Sequence, residues 1–179
     1  MLPDVIILNG TGSSGKTSIA KQLQEILPYQ YLNFSIDAVL YSLPTSDLEA
    51  MMKGKPIDRQ GYDYAQLVDA YHRCIPALLK SGVKLILDNA WVDGDEFQQL
   101  IGLLAPHTYC VVGVTCDLGV AKLREKKRGD RAIGLAEYEF PLVHRDMDYD
   151  FIIDSSVRTP EQLAQDLFSQ LNVSNSQLC

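Results

Sequence analysis

The chain has 179 residues, 46% of them hydrophobic and 22% charged, which suits one α/β domain with a sizeable core and is short for two. A net charge of −7 and a pI near 4.9 argue against a nucleic-acid partner, while a phosphate site that neutralises its ligand locally stays open. No apolar stretch reaches the roughly 18 residues a membrane helix needs, and no charged leader precedes the first apolar run, so the expectation is a cytoplasmic protein with no membrane contact.

The first element, Asp4-Val5-Ile6-Ile7-Leu8-Asn9, has the continuous apolar character of a buried parallel strand. Gly10-Thr11-Gly12-Ser13-Ser14-Gly15-Lys16-Thr17 follows and matches the phosphate-binding loop G-x-x-x-x-G-K-[ST]. Residues 18–27 then read as an amphipathic helix with Ile19, Leu23, Ile26 and Leu27 on one face. Strand, glycine turn and helix form the context that this loop requires. The glycines let successive N–H groups converge on a polyphosphate, and the helix N-terminus adds partial positive charge. Lys16 is placed to reach the outer phosphates, and Thr17 to offer its hydroxyl to Mg²⁺. The expected ligand is ATP with Mg²⁺.

A short second strand is predicted over 31–36, closed by Asp37. In a parallel sheet, functional groups gather beyond the C-terminal strand ends, beside the phosphate loop. Asp37 there suits the general base that takes a proton from an acceptor hydroxyl, and it could instead cap a helix over 38–43. Residues 44–60 carry Pro44, Gly54 and Pro56 and are irregular enough to be a flap over a substrate pocket. A helix over about 61–81, interrupted by Pro76, leads to a third strand at 83–87. Asp88 closes that apolar strand in the manner of a Walker-B acid and is a candidate Mg²⁺ ligand. Trp91 and Tyr41 lie just past strand ends, where they either line a pocket or pack in the core.

A helix over 94–104 precedes the strongest strand by β-propensity, residues 109–115. Its flanking Cys110 and Cys116 read as small hydrophobes, since Cys74, Cys110, Cys116 and Cys179 form no C-x-x-C pair or zinc spacing. Asp117 follows that strand, and a helix over 117–128 ends in an anomaly: in an acidic protein, residues 122–131 hold Lys122, Arg124, Lys126, Lys127, Arg128 and Arg131. Arg124 and Arg128 are one turn apart, and Gly129 could act as a hinge before Arg131. Guanidinium forks match phosphate oxygens, so a lid closing over the triphosphate would use Arg128 and Arg131 in transfer and Arg124 in binding. The plainer reading is a solvated helix end matched to the helix dipole. Helices over 135–146 and 159–171 flank a last strand, 149–153, ending at Asp154. Strands alternating with helices imply a parallel sheet covered on both faces. The chain reads as a single domain over 1–174, with a lid at about 124–140, a flap at about 44–60 and a frayed tail at 175–179.

In order, Ile-Leu-Asn-Gly-Thr-Gly-Ser-Ser-Gly-Lys-Thr-Ser, Phe34-Ser35-Ile36-Asp37, Leu-Ile-Leu-Asp88, Gly113-Val114-Thr115-Cys116-Asp117, Arg128-Gly129-Asp130-Arg131-x-x-Gly134 and Val143-His144 with Tyr149-Asp150 resemble the chloramphenicol phosphotransferase-like proteins. The likeness runs over about residues 4–156. It implies a P-loop NTPase of nucleotide-kinase-like type with a five-stranded parallel sheet in order 2-3-1-4-5. It also implies transfer of the ATP γ-phosphate to a hydroxyl of an antibiotic-like or metabolite acceptor. By resemblance Asp37 matches the base, Lys16 the phosphate lysine, and Arg128 and Arg131 the lid arginines. Asn89 stands where the family carries a second acid. A nucleotide or sugar-nucleotide kinase, with Lys53, Lys55 and Arg59 as phosphate clamps, remains an alternative, as does a nucleotide-binding switch. A guanine-reading N-K-x-D is absent, and Asp58-Arg59-Gln60-Gly61 follows no predicted strand. The oligomeric state is not legible.

Overall fold

The computed structural model describes residues 1–128 and 132–176, with side chains as far as 173. Its centre is β1 (Val5–Asn9), in which every residue is buried. The strand lies between β3 (Lys84–Asn89) and β4 (Tyr109–Thr115), with Ile7 beside both Leu87 and Val111. β2 (Tyr31–Asn33) adds to the far side of β3, and β5 (Phe151–Asp154) to the far side of β4. All pairings are parallel, and the order β2-β3-β1-β4-β5 agrees with the expected sheet.

Alternate residues of β1 point to opposite faces, which is why its run is apolar throughout. Ile6 and Leu8 join Ile19 and Leu23 of α1 (Lys16–Ile26) and Leu163 and Leu167 of α8 (Pro160–Ser176). Val5 and Ile7 join Tyr71 and Ile75 of α4 (Tyr64–Lys80) and Phe97 and Leu100 of α5 (Gly94–Leu103). Each such side chain is worth roughly 2 kcal/mol of burial, so the central strand is anchored from both sides. Its C-terminal end therefore presents Asn9 and the following loop at a fixed height beside Asp88 and Asn89.

Several boundaries depart from the sequence reading. β2 stops at Asn33 because Ser35 begins α2 (Ile36–Leu40), its hydroxyl accepting from the Asp37 N–H at 3.1 Å. Residues 44–60 are not wholly irregular: α3 (Thr45–Met52) occupies their first half. Pro76 sits inside α4 without ending it. α6 (Leu118–Arg128) is described as far as Arg128, and α7 (Leu135–Glu139) is shorter than the 135–146 helix read from the sequence. Pro141 has no N–H to continue the ladder, so the regular helix stops there although Phe140 keeps helical dihedrals. α8 runs on to Ser176, past the expected 171 and into the segment expected to fray, and residues 177–179 lie outside the described part. Among the described residues no helix is long and apolar enough to cross a membrane.

Candidate active site

β1 delivers the chain into the phosphate loop with little room to spare. A Cβ on Gly10 would stand 2.3 Å from the Val114 carbonyl oxygen of β4, so only glycine permits that approach. At Gly15 the backbone takes φ +95°, the left-handed turn that lets α1 begin at Lys16. Lys16 is buried, and its ammonium donates to the carbonyls of Gly10 at 2.6 Å and Thr11 at 2.9 Å, which holds it over the loop. The loop is pinned from the other side by Ser155, whose hydroxyl donates to Ser14 O at 2.5 Å and to Thr115 O at 3.0 Å. N–H groups converging at a helix N-terminus constitute an anion site.

A cavity of about 350 Å³ opens beside the loop. Lys16, Thr17, Asp37, Asp88, Arg128 and Glu139 line its polar side, and Leu40, Tyr41, Leu48, Met51, Met52 and Tyr64 its apolar side. Asp37 belongs to the first turn of α2, and the capping position is filled by Ser35, so the capping alternative for Asp37 is overturned. Asp37 also lines the cavity. Asp88 is 5% exposed, and its Oδ2 has no hydrogen-bond partner. Burial pushes that carboxyl above the ordinary aspartate range, against the opposing pull of Lys16, Thr17 and Asn33. An orphaned carboxylate oxygen beside the Thr17 hydroxyl fits a hard divalent cation, so Asp88 and Thr17 could hold Mg²⁺. Burial, and then the nearby carboxylates, push the Tyr64 phenol up.

A second cavity of about 420 Å³ lies on the outer side of the loop, against Ser13, Ser18, Arg124, Lys127, Arg128, Ser155, Arg158 and Pro160. Arg124 donates to Ser155 O at 2.7 Å, which aims it at the phosphate loop. Arg128 lines both cavities. Lys122 instead pairs with Glu137 at 2.9 Å on the surface. Arg131 and the Gly129 hinge lie outside the described residues.

The profile of the chloramphenicol phosphotransferase-like proteins matches residues 3–172. The chain belongs to that family. Two curated Mycobacterium tuberculosis proteins provisionally named O-phosphotransferases are 26% identical over 180 residues, covering 91% of this chain and 80% of theirs. In fold the chain resembles an unliganded sugar kinase from Janibacter sp. (TM-score 0.72, 18% identity, 96% of each chain). It also resembles a gluconokinase from Sinorhizobium meliloti (TM-score 0.71, 16% identity, 99% of this chain and 96% of that one). Family and fold together make it an ATP-dependent phosphotransferase built as a P-loop kinase.

Within this chloramphenicol phosphotransferase-like chain, several residues at the site carried no functional signal in the sequence. Glu139 is buried in α7, and its Oε2 accepts from the Gly12 N–H at 2.5 Å. Asn9 donates to Val143 O at 2.8 Å and to the Tyr149 hydroxyl at 3.0 Å, and accepts from Trp91 N at 3.0 Å. His144 Nδ1 lies 2.7 Å from the same hydroxyl. This accounts for the Val143-His144 and Tyr149-Asp150 segments, since Asp150 in turn accepts from Val111 N at 2.7 Å. A buried polar residue closing an apolar strand was the available clue for Asn9. Burial, and then Lys16, hold the His144 imidazole below its usual range. Two strand-end acids prove structural: Asp117 accepts from Val120 N at 3.1 Å, and Asp154 accepts from the Ser156 N–H at 2.8 Å. Trp91 packs on Phe97 in the core, while Tyr41 faces the cavity.

Proposed function

We propose that this enzyme moves the γ-phosphate of ATP to a hydroxyl group on a small molecule that carries no negative charge. The observation carrying this reading is the first cavity, which Asp37 lines together with Lys16 and Thr17 of the phosphate loop and with apolar Leu40, Leu48, Met51 and Met52. ATP supplies the phosphoryl group. The loop N–H groups and Lys16 hold its outer phosphates, Arg128 meets the charge redistributed during transfer, and Arg124 supports binding from the outer cavity. Thr17 and Asp88 would hold Mg²⁺, which would supply shielding of the phosphate charge. Asp37 orients the acceptor hydroxyl and takes its proton. The outer cavity, with Arg124, Arg158 and Pro160, suits the nucleoside end of ATP. Residues 44–60 act as the acceptor flap, since Leu48, Met51 and Met52 of α3 face the cavity.

The charge of the acceptor follows from where the flap's cations go. Arg59 is held by Asp47 at 2.5 and 3.1 Å, and Lys53 by Glu49 at 3.2 Å. Neither they nor Lys55 line the pocket, so they support no clamp for a phosphorylated acceptor. Asp37, Asp88 and Glu139 would repel an anion, and the low dielectric of a closed pocket strengthens that repulsion. The test is ATP consumption with mass spectrometry across matched alcohols, each uncharged compound beside its carboxylated or phosphorylated counterpart. Phosphate gain on uncharged members is expected. Equal turnover of the anionic members would overturn the acceptor assignment, and tight ATP binding without phosphorylation of any alcohol would favour the switch alternative.

A further inference from the structure

We infer that Glu125 is a positioning residue for the lid, acting through Arg128; this rests on the phosphotransfer role given to Arg128 above. Glu125 lies in the middle of α6, one residue from Arg124 and three from Arg128, yet it is only 3% exposed. Its oxygens are directed at a different helix. Oε2 accepts from Gly134 N at 2.8 Å and Oε1 from Ala136 N at 2.9 Å. Gly134 occupies the capping position of α7 and has no side chain with which to cap it. Glu125 therefore supplies from α6 the acceptor that α7 lacks in its own sequence.

The bond matters because of what α7 does next. Ala136 O accepts from the Thr11 hydroxyl at 3.1 Å, and Glu139 accepts from Gly12 N, so α7 rests on the phosphate loop. At the other side Arg124 holds Ser155, and Ser155 holds Ser14 O. A closed circuit results: α6 to α7 through Glu125, α7 to the phosphate loop, the loop to the turn after β5, and that turn back to α6. Arg128, in the last described turn of α6, lies next to this circuit and lines both cavities. The Lys122–Glu137 pair also joins the two helices, but both partners are about half exposed, and such pairs contribute little. Glu125 is the buried member of the linkage, so it fixes the register of Arg128 against the phosphates.

The test uses the whole protein and two ligands, Mg²⁺ with AMP-PNP and Mg²⁺ with ADP, by calorimetry. Glu125→Gln keeps the shape but turns an acceptor into an N–H donor facing N–H groups. AMP-PNP affinity is expected to fall about tenfold, the scale of one lost charge-assisted contact, with ADP changed far less. If Glu125 works through Arg128, the Glu125→Gln/Arg128→Ala double variant loses no more than Arg128→Ala alone; a merely structural residue would give additive losses. Limited trypsin cleavage supplies a readout free of nucleotide. Cleavage after Lys126, Lys127, Arg128 or Arg131 should accelerate in Glu125→Gln, with other sites unchanged. Glu125→Asp, which keeps the charge with a shorter reach, should fall between wild type and Gln. Unchanged AMP-PNP affinity with unchanged cleavage would overturn the proposal, as would additive losses or global unfolding of both Glu125 variants. Failure of the wild type to bind AMP-PNP would sink the function reading instead, leaving the cleavage rates to decide the role of Glu125.

Discussion

The sharpest consequence of the site is that removing a candidate metal ligand should stabilise the protein. Asp88 is buried, its Oδ2 finds no hydrogen bond, and burial raises its pKa despite Lys16, Thr17 and Asn33. A carboxyl raised in the folded state releases its proton at lower pH once unfolded, so the unfolded chain binds fewer protons across that window. Stability from this group is therefore present below the unfolded value and lost as pH rises through the folded one. At pH 7 the ionised form carries the full penalty. Asp88→Asn keeps the volume and stays neutral, so it recovers about 1 kcal/mol, the lower end for an unmet buried polar group. For a chain of this length that is a rise in Tm of about 2–4 °C. The assay is thermal unfolding in EDTA at pH 7 and again near pH 3.5, where the gain should vanish. With nucleotide, the Mg²⁺-dependent part of the stabilisation should disappear, a term worth about 2.7 kcal/mol at a hundredfold excess over Kd in a protein that binds. A lower Tm for Asp88→Asn in EDTA, or an undiminished response to Mg²⁺ with ATP, would refute the reasoning.

Lys16→Ala should lower kcat by about 10²- to 10³-fold and weaken ATP analogues in calorimetry, because its ammonium sits over the loop rather than in the core. Asp37→Asn should reduce kcat about 10²- to 10⁴-fold on an accepted alcohol with little change in ATP affinity, as steady-state kinetics would show. Arg128→Lys, and Arg131→Lys in the same series, should cost about tenfold or more because the planar fork is lost, whereas Lys126→Ala, exposed on α6, should turn over at the wild-type rate. The depressed His144 titrates below its unfolded value, so lowering the pH through about 6.5 protonates the unfolded chain first and reduces stability. The loss in urea midpoint between pH 7.5 and pH 5.5 should be smaller in His144→Gln than in wild type.

Where one residue type in one local spacing dictates the structure, the sequence was sufficient. The β4 range came out unchanged, because its β-branched run and flanking polar residues leave one reading. The phosphate loop was equally legible, since its glycines and lysine act through local backbone geometry. Asp37 was singled out because a strand end beside that loop is a privileged place, and it lines the cavity, although its distinction from a cap required seeing Ser35 take that position. Long-range partnerships were not legible. Glu139 reaches Gly12 across 127 residues, and no periodicity encodes that. Asn9 likewise meets Val143 across 134 residues, so both halves of the pair look ordinary alone. The helix α3 escaped notice because it spans only eight residues and opens on Pro44 without a side-chain cap.

The two residues that escaped notice, Asn9 and Glu139, bear together with the expected Asp88 on how the site works. Asn9, Asp88 and Glu139 are all buried polar groups at or beside the ends of central strands, where an apolar side chain would pack better. Asn9 spends its bonds on the segments after α7 and after β3, and Glu139 spends one on the phosphate loop. Asp88 Oδ2 has no such partner. The bonds of Asn9 and Glu139 therefore rigidify the frame, whereas Asp88 keeps an oxygen open to a ligand. That division predicts opposite outcomes for similar changes. Replacing Asn9 with Leu strands the Trp91 N–H and leaves the Val143 carbonyl only the 3.3 Å bond from the Tyr149 hydroxyl, and should destabilise by about 2 kcal/mol. Neutralising Asp88 stabilises. Opposite signs from two buried polar residues on adjacent strands separate a scaffold group from a ligand group without any acceptor in hand.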